Sequence, residues 1–292
     1  MQTTSTIEAL RAIIAALRKP GERAAPQRIG LVPTMGALHE GHLTLVRRAR
    51  EECDHVVASI FVNPTQFGEG EDLDAYPRQL EEDAAMLEAE GCALLWAPDV
   101  AAMYPQGARD FATSVSVKGV SEGLCGADRP GHFDGVATVV CKLFNQVRPD
   151  MAFFGEKDFQ QLAVIRTMAR DLDLTAPPAH QIIGVPTMRE ADGLAMSSRN
   201  RYLSPENRAA AATLPAAMKT AKAAIEAGAD TAKALADLQA ELIKEGFSSV
   251  DYAVLADANS LAAIDALTSA SARLLVAARI GGTRLIDNMA VG

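Results

Sequence analysis

The chain has 292 residues, 49% of them apolar, which at roughly 150 residues per domain suggests about two domains with ample material for a core. No uncharged apolar run reaches the roughly 18 residues of a membrane-spanning helix, and "MQTTSTIEALRAII" lacks the basic start and pure apolar stretch of a secretory leader, so a cytoplasmic protein without membrane attachment is expected. A formal net charge of -9 speaks against broad nucleic-acid binding, which needs a basic footprint, but leaves room for a local basic pocket around one anionic ligand.

Thr6 is placed to cap a first helix, "TIEALRAIIAALRK", with Ile7, Leu10, Ile14 and Leu17 on one face and "KPG" as its stop. "RIGLVPTM" then reads as a buried strand, "HLTLVRRAREEC" as a helix and "HVVASIFVN" as a second continuous apolar strand. A helix at "RQLEEDAAMLEAE", ending at Gly91, leads to the strand "ALLWAP". "FATSVSVKG" is a possible strand, and five glycines follow between Gly119 and Gly135, too many for a plain connector. Next come a helix at "VATVVCKLFNQV", a strand at "MAFFGE", a helix at "FQQLAVIRTMARDL" and a strand at "HQIIGVP". Strand–helix alternation with fully apolar strands predicts a doubly wound parallel sheet, assigned to residues 1–187. From residue 188 to 292 the texture changes. Ser204 and Pro205 open one long helix, "PENRAAAATLPAAMKTAKAAIEAG", and "TAKALADLQAELIKEG" forms another. "SVDYAVLAD" and "RLLVAARIGGTRLIDNMAV" read as strands with a Gly-Gly hairpin, giving a smaller α+β domain. The four cysteines, Cys53, Cys92, Cys125 and Cys141, form no C-x-x-C pair and read as reduced, mostly buried apolar residues.

Four polar stretches carry candidate chemistry. In "PTMGALHEGH" a helix starting near Gly41 would aim its free N–H groups over the strand end, an anion site, with Gly36 and Gly41 permitting close approach and His39 and His42 as donors to charge on phosphorus. Two surface histidines at a turn, or a metal pair lacking a third ligand, are the other readings of that spacing. "NPTQFG" follows the second strand, and the amides of Asn63 and Gln66 could orient hydroxyls or a carboxylate; an ordinary Asn-Pro turn would look the same. "GEKDFQQ" offers Lys157 for a phosphate, Asp158 for a ribose or a metal-bound water, and Gln161 one turn into a helix. "MSSRN" brings Ser197, Ser198 and Arg199 into one turn suited to a triphosphate. Three of the stretches follow predicted parallel strands at one sheet edge, so nucleotide binding there accounts for them together.

These motifs, with "VPTMREADGLAMSSRNRYLS" around the fourth, occur in the order and at the spacing of the pantoate–β-alanine ligase family, which the chain resembles over nearly its whole length. The resemblance implies a Rossmann-like fold of the H-x-G-H nucleotidyltransferase type with a C-terminal α+β lid. It implies activation of pantoate by ATP to pantoyl adenylate, then capture by β-alanine with release of AMP. ATP would be co-substrate, Mg²⁺ its metal with protein ligands unassigned, and the chain a homodimer in the cytoplasm without nucleic-acid or membrane partners. The resemblance points to Met35, Gly36, Ala37, Leu38, His39, Glu40, Gly41, His42, Gly155, Glu156, Lys157, Asp158, Met188, Met196, Ser197, Ser198 and Arg199 as ATP contacts. Within that set, His42, His39, Lys157, Ser197 and Arg199 would carry catalysis. Gln66, Gln161 and Asn63 would hold pantoate and β-alanine. Phe159 stands where the family often has tyrosine, and the C-terminal helices match it least specifically. A nucleotidyltransferase that leaves the nucleotide on its product, and a binding module derived from a class I aminoacyl-tRNA synthetase core, are the competing readings. The first would need no two-glutamine pocket, and the acidic balance disfavours the second.

Overall fold

The computed structural model describes residues 1–20, 25–68, 70, 71, 73–108, 110–268 and 271–292; Gly21, part of the expected stop of the first helix, lies outside them. The chain divides into two compact units. The first comprises Met1–Lys118, Arg129–Glu156 and Gln161–Pro186, and the second Gly119–Asp128, Lys157–Gln160 and Thr187–Gly292.

The first unit is built on a six-stranded parallel sheet. Its strands are β1 Gln2–Thr4, β2 Ile29–Thr34, β3 His55–Ile60, β4 Leu94–Trp96, β5 Met151–Gly155 and β6 Ile182–Val185, in the order β1-β4-β3-β2-β5-β6. The helices up to this point in the chain are α1 Ile7–Leu17, α2 Glu40–Glu52, α3 Leu80–Ala89, α4 Val100–Met103, α5 Cys125–Asp128, α6 His132–Val147 and α7 Phe159–Asp171; α5 and the first two residues of α7 belong to the second unit. The inner strands are mostly apolar because helices cover both faces: Leu31, Val32, Val57, Leu95 and Phe153 are fully buried. Strand order reverses between β2 and β5, where open parallel sheets take their ligands. The β2–β5 ladder covers only Gly30 and Leu31, so the two strands stop pairing before their C-terminal ends. Pro33 falls beyond that ladder, which explains how a central strand tolerates a residue without an N–H.

The second unit has an antiparallel sheet of β7 Ser249–Asp257, β8 Ala272–Ile280 and β9 Thr283–Val291, with helices α8 Pro205–Ala211, α9 Thr213–Glu226 and α10 Thr231–Lys244. Leu214, Met218, Leu238, Leu242, Leu274 and Val276 lie in its core. Gly281 and Gly282, at φ 55° and 78°, make the two-residue β8–β9 turn, a conformation that glycine adopts without strain.

Several expected elements differ. α2 begins at Glu40, one residue earlier than expected, because His39 caps it. The single long helix after Ser204 is two, parted at Ala212: Pro215 has no N–H for the carbonyl four residues back, so it is tolerated only within the first turn of a new helix. Residues 111–118 form no strand; the Val115 N–H goes to Thr138 Oγ1 at 2.9 Å instead of a ladder. α6 starts at His132, four residues before the apolar run. β1, three polar residues pairing with β4, escaped the apolar pattern altogether. Burial pushes the thiols of Cys53 and Cys92 up to about 11, which suits inert core residues. No helix among the described residues is long and apolar enough to cross a membrane.

Candidate active site

β2, β3 and β5 are neighbours in the sheet and run parallel, so their C-terminal ends, which lead into the three sequence motifs, open on one edge. At the end of β2 the chain turns through Gly36 at φ 86° and Ala37 at φ 52°. His39 then caps α2. Its Nδ1 accepts the Gly41 N–H at 3.2 Å, while His42 Nδ1 accepts the His39 N–H at 3.3 Å, a reciprocal capping box made by two histidines. The Gly41 N–H, expected to be free toward an anion, is engaged within the turn. The N–H groups of His42 and Leu43 go to the His39 carbonyl. The same bonds fix the tautomers: an Nδ1 that accepts must be bare, so each neutral ring carries its proton on Nε2. The rings lie 4.1 Å apart between centroids. Glu40 turns its carboxylate to Arg47, which also binds Glu90.

Asp83 on α3 shapes this turn and was not singled out by sequence. It is fully buried, and its carboxylate accepts from the Ala37 N–H at 2.8 Å, the Leu38 N–H at 2.9 Å and Gln79 Nε2 at 3.2 Å. One acid thus holds the two peptide N–H groups that precede His39. Asp83→Asn keeps the shape but faces one of those donors with another donor. The expected result is a loss of about 1–3 kcal/mol in stability, as for a buried group left unpaired. Turnover should drop about tenfold as the histidines lose their register. Thermal unfolding and steady-state rates check both; unchanged values for both would contradict the role.

At the end of β3, Asn63 is 1% exposed and its amide is saturated. Oδ1 accepts from the Tyr104 hydroxyl at 2.8 Å and Thr65 Oγ1 at 3.0 Å; Nδ2 donates to the Gly135 carbonyl at 3.2 Å and to Gln66 Oε1 at 3.1 Å. The last bond orients Gln66, leaving its Nε2 facing Met35 Sδ at 3.0 Å. Burial raises the Tyr104 hydroxyl above its usual range, so it stays a protonated donor to Asn63. Beyond this turn, His132 Nδ1 lies 2.8 Å from the Gln66 carbonyl, and Arg129 bonds both that carbonyl and Glu71. Burial works to raise the Glu71 carboxyl, but the hydrogen bonds and charge of Arg129 outweigh it and hold it below the usual range.

β5 ends at Gly155, where an added Cβ would meet nothing within 4 Å. Glu156 and Gln161 belong with the first unit, and Lys157 and Asp158 with the second; the Lys157 ammonium lies 3.6 Å from Asp158. Within the second unit, Met188 and Met196 come together although eight residues apart. The Met196 N–H donates to the Met188 carbonyl at 3.0 Å, and Arg189 bridges Ala195 in a small hairpin. Ser197 caps the short 3₁₀ turn Ser198–Tyr202, its Oγ accepting the Arg199 N–H at 3.3 Å. Gln160, also unforeseen, is buried and clamps the glycine-rich segment: it accepts the Cys125 N–H at 3.0 Å and donates to the Gly123 and Val120 carbonyls at 2.7 and 3.0 Å. Asn63 and Gln66 were singled out together by sequence in one turn; Asp83 and Gln160 carry no local signal.

Residues 2–290 match the family model described as pantoate-beta-alanine ligase. The chain is 64% identical over all of its 292 residues to the pantothenate synthetase of Novosphingobium aromaticivorans, of which it covers 99%. The crystal structure of pantothenate synthetase from Thermus thermophilus is similar with a TM-score of 0.88 and 48% identity, 99% of each chain being covered. A pantoate-beta-alanine ligase from Francisella tularensis, complexed with beta-gamma ATP and beta-alanine, gives a TM-score of 0.80 at 32% identity over 99% of this chain and 97% of that one. Two sheets of the expected kinds, the strand-end motifs and a family match over nearly every residue agree: the chain belongs to the pantoate–β-alanine ligase family.

Proposed function

We propose that this ATP-dependent joining of pantoate to β-alanine proceeds through pantoyl adenylate. The physical need is plain, since a carboxylate and an amine near neutral pH form an ion pair and not an amide. One pantoate carboxylate oxygen attacks the α-phosphorus, pyrophosphate leaves, and a mixed anhydride results. The amine of β-alanine then attacks the acyl carbon, loses its proton, and the acyl C–O bond breaks to release AMP. The observation that carries this reading is the reciprocal histidine cap, which presents two Nε2–H donors where β2 ends. Such donors, fixed before reaction, stabilise charge that builds on phosphate oxygens.

In this reading Met35 to His42 line adenosine and the α-phosphate, with His42 and His39 as the catalytic donors. Gln66 and Gln161 hold pantoate, Gln66 also meets β-alanine, and Asn63 acts through Gln66 by fixing its amide. Gly155, Glu156, Asp158, Met188, Met196 and Ser198 contact ATP, while Lys157, Ser197 and Arg199 bear on its phosphates. The domain from residue 188 serves as a lid. Mg²⁺ would come bound to ATP and would neutralise its phosphates, an ion that keeps several waters and takes one or two carboxylates beside substrate phosphates. Asp158 is the carboxylate next to Lys157 that suits it. The homodimer rests on the resemblance, and the cytoplasmic setting on the resemblance together with the composition-based expectation.

Labelled oxygen in the pantoate carboxylate should appear in AMP, and rapid quench with ATP and pantoate alone should give a pyrophosphate burst. No burst without β-alanine, or label retained wholly in the amide product, would overturn the adenylate route.

A further inference from the structure

Lys157 sits in a single 3₁₀ turn, Glu156–Asp158, that runs directly into α7 at Phe159. The second unit supplies the anchor from β9. Asn288 is 3% exposed, and its Nδ2 donates to the Lys157 carbonyl oxygen at 2.9 Å. Its Oδ1 accepts from Arg273 Nε at 2.7 Å, and the Arg273 guanidinium lies over the ring of Phe159, 4.1 Å from the centroid. One amide therefore reaches Lys157 directly and, through Arg273, the residue two places beyond it.

Asn288 is itself held. Its N–H donates to Asp287 Oδ1 at 2.7 Å. Asp287, 2% exposed, takes the two-pronged bond of Arg189 at 2.6 and 2.9 Å, a pairing with strict geometry. An asparagine buried in a strand is costly unless its amide is bonded on both sides, and here it is. An apolar residue would serve the sheet as well, so the amide's bonds mark the Lys157 turn as what this position serves.

We propose that Asn288 is a positioning residue for Lys157, an inference that rests on the reading of Lys157 as a phosphate contact. Fixing the carbonyl of Lys157 fixes the direction in which its side chain leaves the backbone, and a charge set about 1 Å wrong forfeits much of its effect on a transition state.

A double-mutant cycle on the full-length enzyme tests this. Asn288→Asp keeps the acceptor for Arg273 but replaces the donor to Lys157 with an oxygen. It should lower kcat/KM for ATP about tenfold, with KM for β-alanine unmoved. Lys157→Ala should lower it about a hundredfold. With Lys157→Ala already in place, Asn288→Asp should cost less than about twofold more, because residues acting through one another are not additive. Multiplying losses, or a wild-type rate for Asn288→Asp alone, would overturn the positioning role while leaving Lys157 as a phosphate contact. A wild-type rate for Lys157→Ala would overturn the reading beneath it and the inference with it. If Asn288→Asp does not fold by thermal unfolding, Asn288→Ala, which removes the donor without burying a charge, takes its place in the same cycle.

Discussion

His42→Ala is expected to lower turnover by about 10² to 10³, the loss found when one preorganised donor to a charged transition state is removed. The same change removes half of the capping box at the start of α2, since His42 Nδ1 no longer takes the His39 N–H. That structural share is about 1 kcal/mol. His42→Gln separates the two effects, because a glutamine at this place in a helix can bond back to the capping residue. It should recover the melting temperature lost by His42→Ala while recovering no more than about tenfold of the rate, because its amide lacks the reach of the ring Nε2. Steady-state rates and thermal unfolding of the two variants check this. A rate for His42→Ala within about threefold of wild type would remove His42 from the chemistry.

Gly135→Ala should be the most damaging single methyl in the first unit. A Cβ on Gly135 would lie 2.4 Å from the Thr65 carbonyl oxygen and 2.8 Å from the Gln66 Cα, both main-chain atoms. A flexible side chain could swing aside, but a main-chain turn cannot, so α6 or the Gln66 turn must shift. The Gly135 carbonyl also accepts from Asn63, so the shift reaches the amide that orients Gln66. Overpacking of this kind costs about 3 kcal/mol, or roughly 6–12 °C in melting temperature for a body of this size. In the fraction that folds, KM for pantoate should rise more than KM for ATP. Calorimetry and initial rates test the pair of effects; a variant as stable as wild type would mean the turn yields freely.

The parallel sheet and its motif-bearing edge were legible because their signals are local. Apolar runs such as "HVVASI" are followed directly by turn residues, and histidine, asparagine and lysine stand out there. The residues that hold those motifs were not legible. Asp83 follows Glu81 and Glu82 on a helix and reads like a solvated acidic face; only the fold shows that it alone is buried against the Ala37 peptide. Asn288 lies about 130 residues from the Lys157 carbonyl it bonds, beyond the reach of any periodicity. The histidine cap at α2 was not legible for a different reason. Histidine is not among the favoured capping residues, so the bonds that His39 and His42 make to the start of the helix carried no signal. Gln160 and Gln161 are neighbours of identical type, and nothing in the sequence distinguishes the buried clamp from the residue next to it.

The clamp that Gln160 places on the glycine-rich segment bears on how the chain matures as it is made. Cys125, held at one end by Gln160, is covered by Tyr252 and reached by Arg284. Arg284 is synthesised 159 residues after Cys125. At roughly 5–20 residues per second, the loop waits about 8–32 s on the ribosome for this last partner. The strands β1 to β6 are all complete well before then, so the parallel sheet can form while this stretch is still bare. A nascent chain halted before β9 therefore carries a built sheet and an unfinished surface at once.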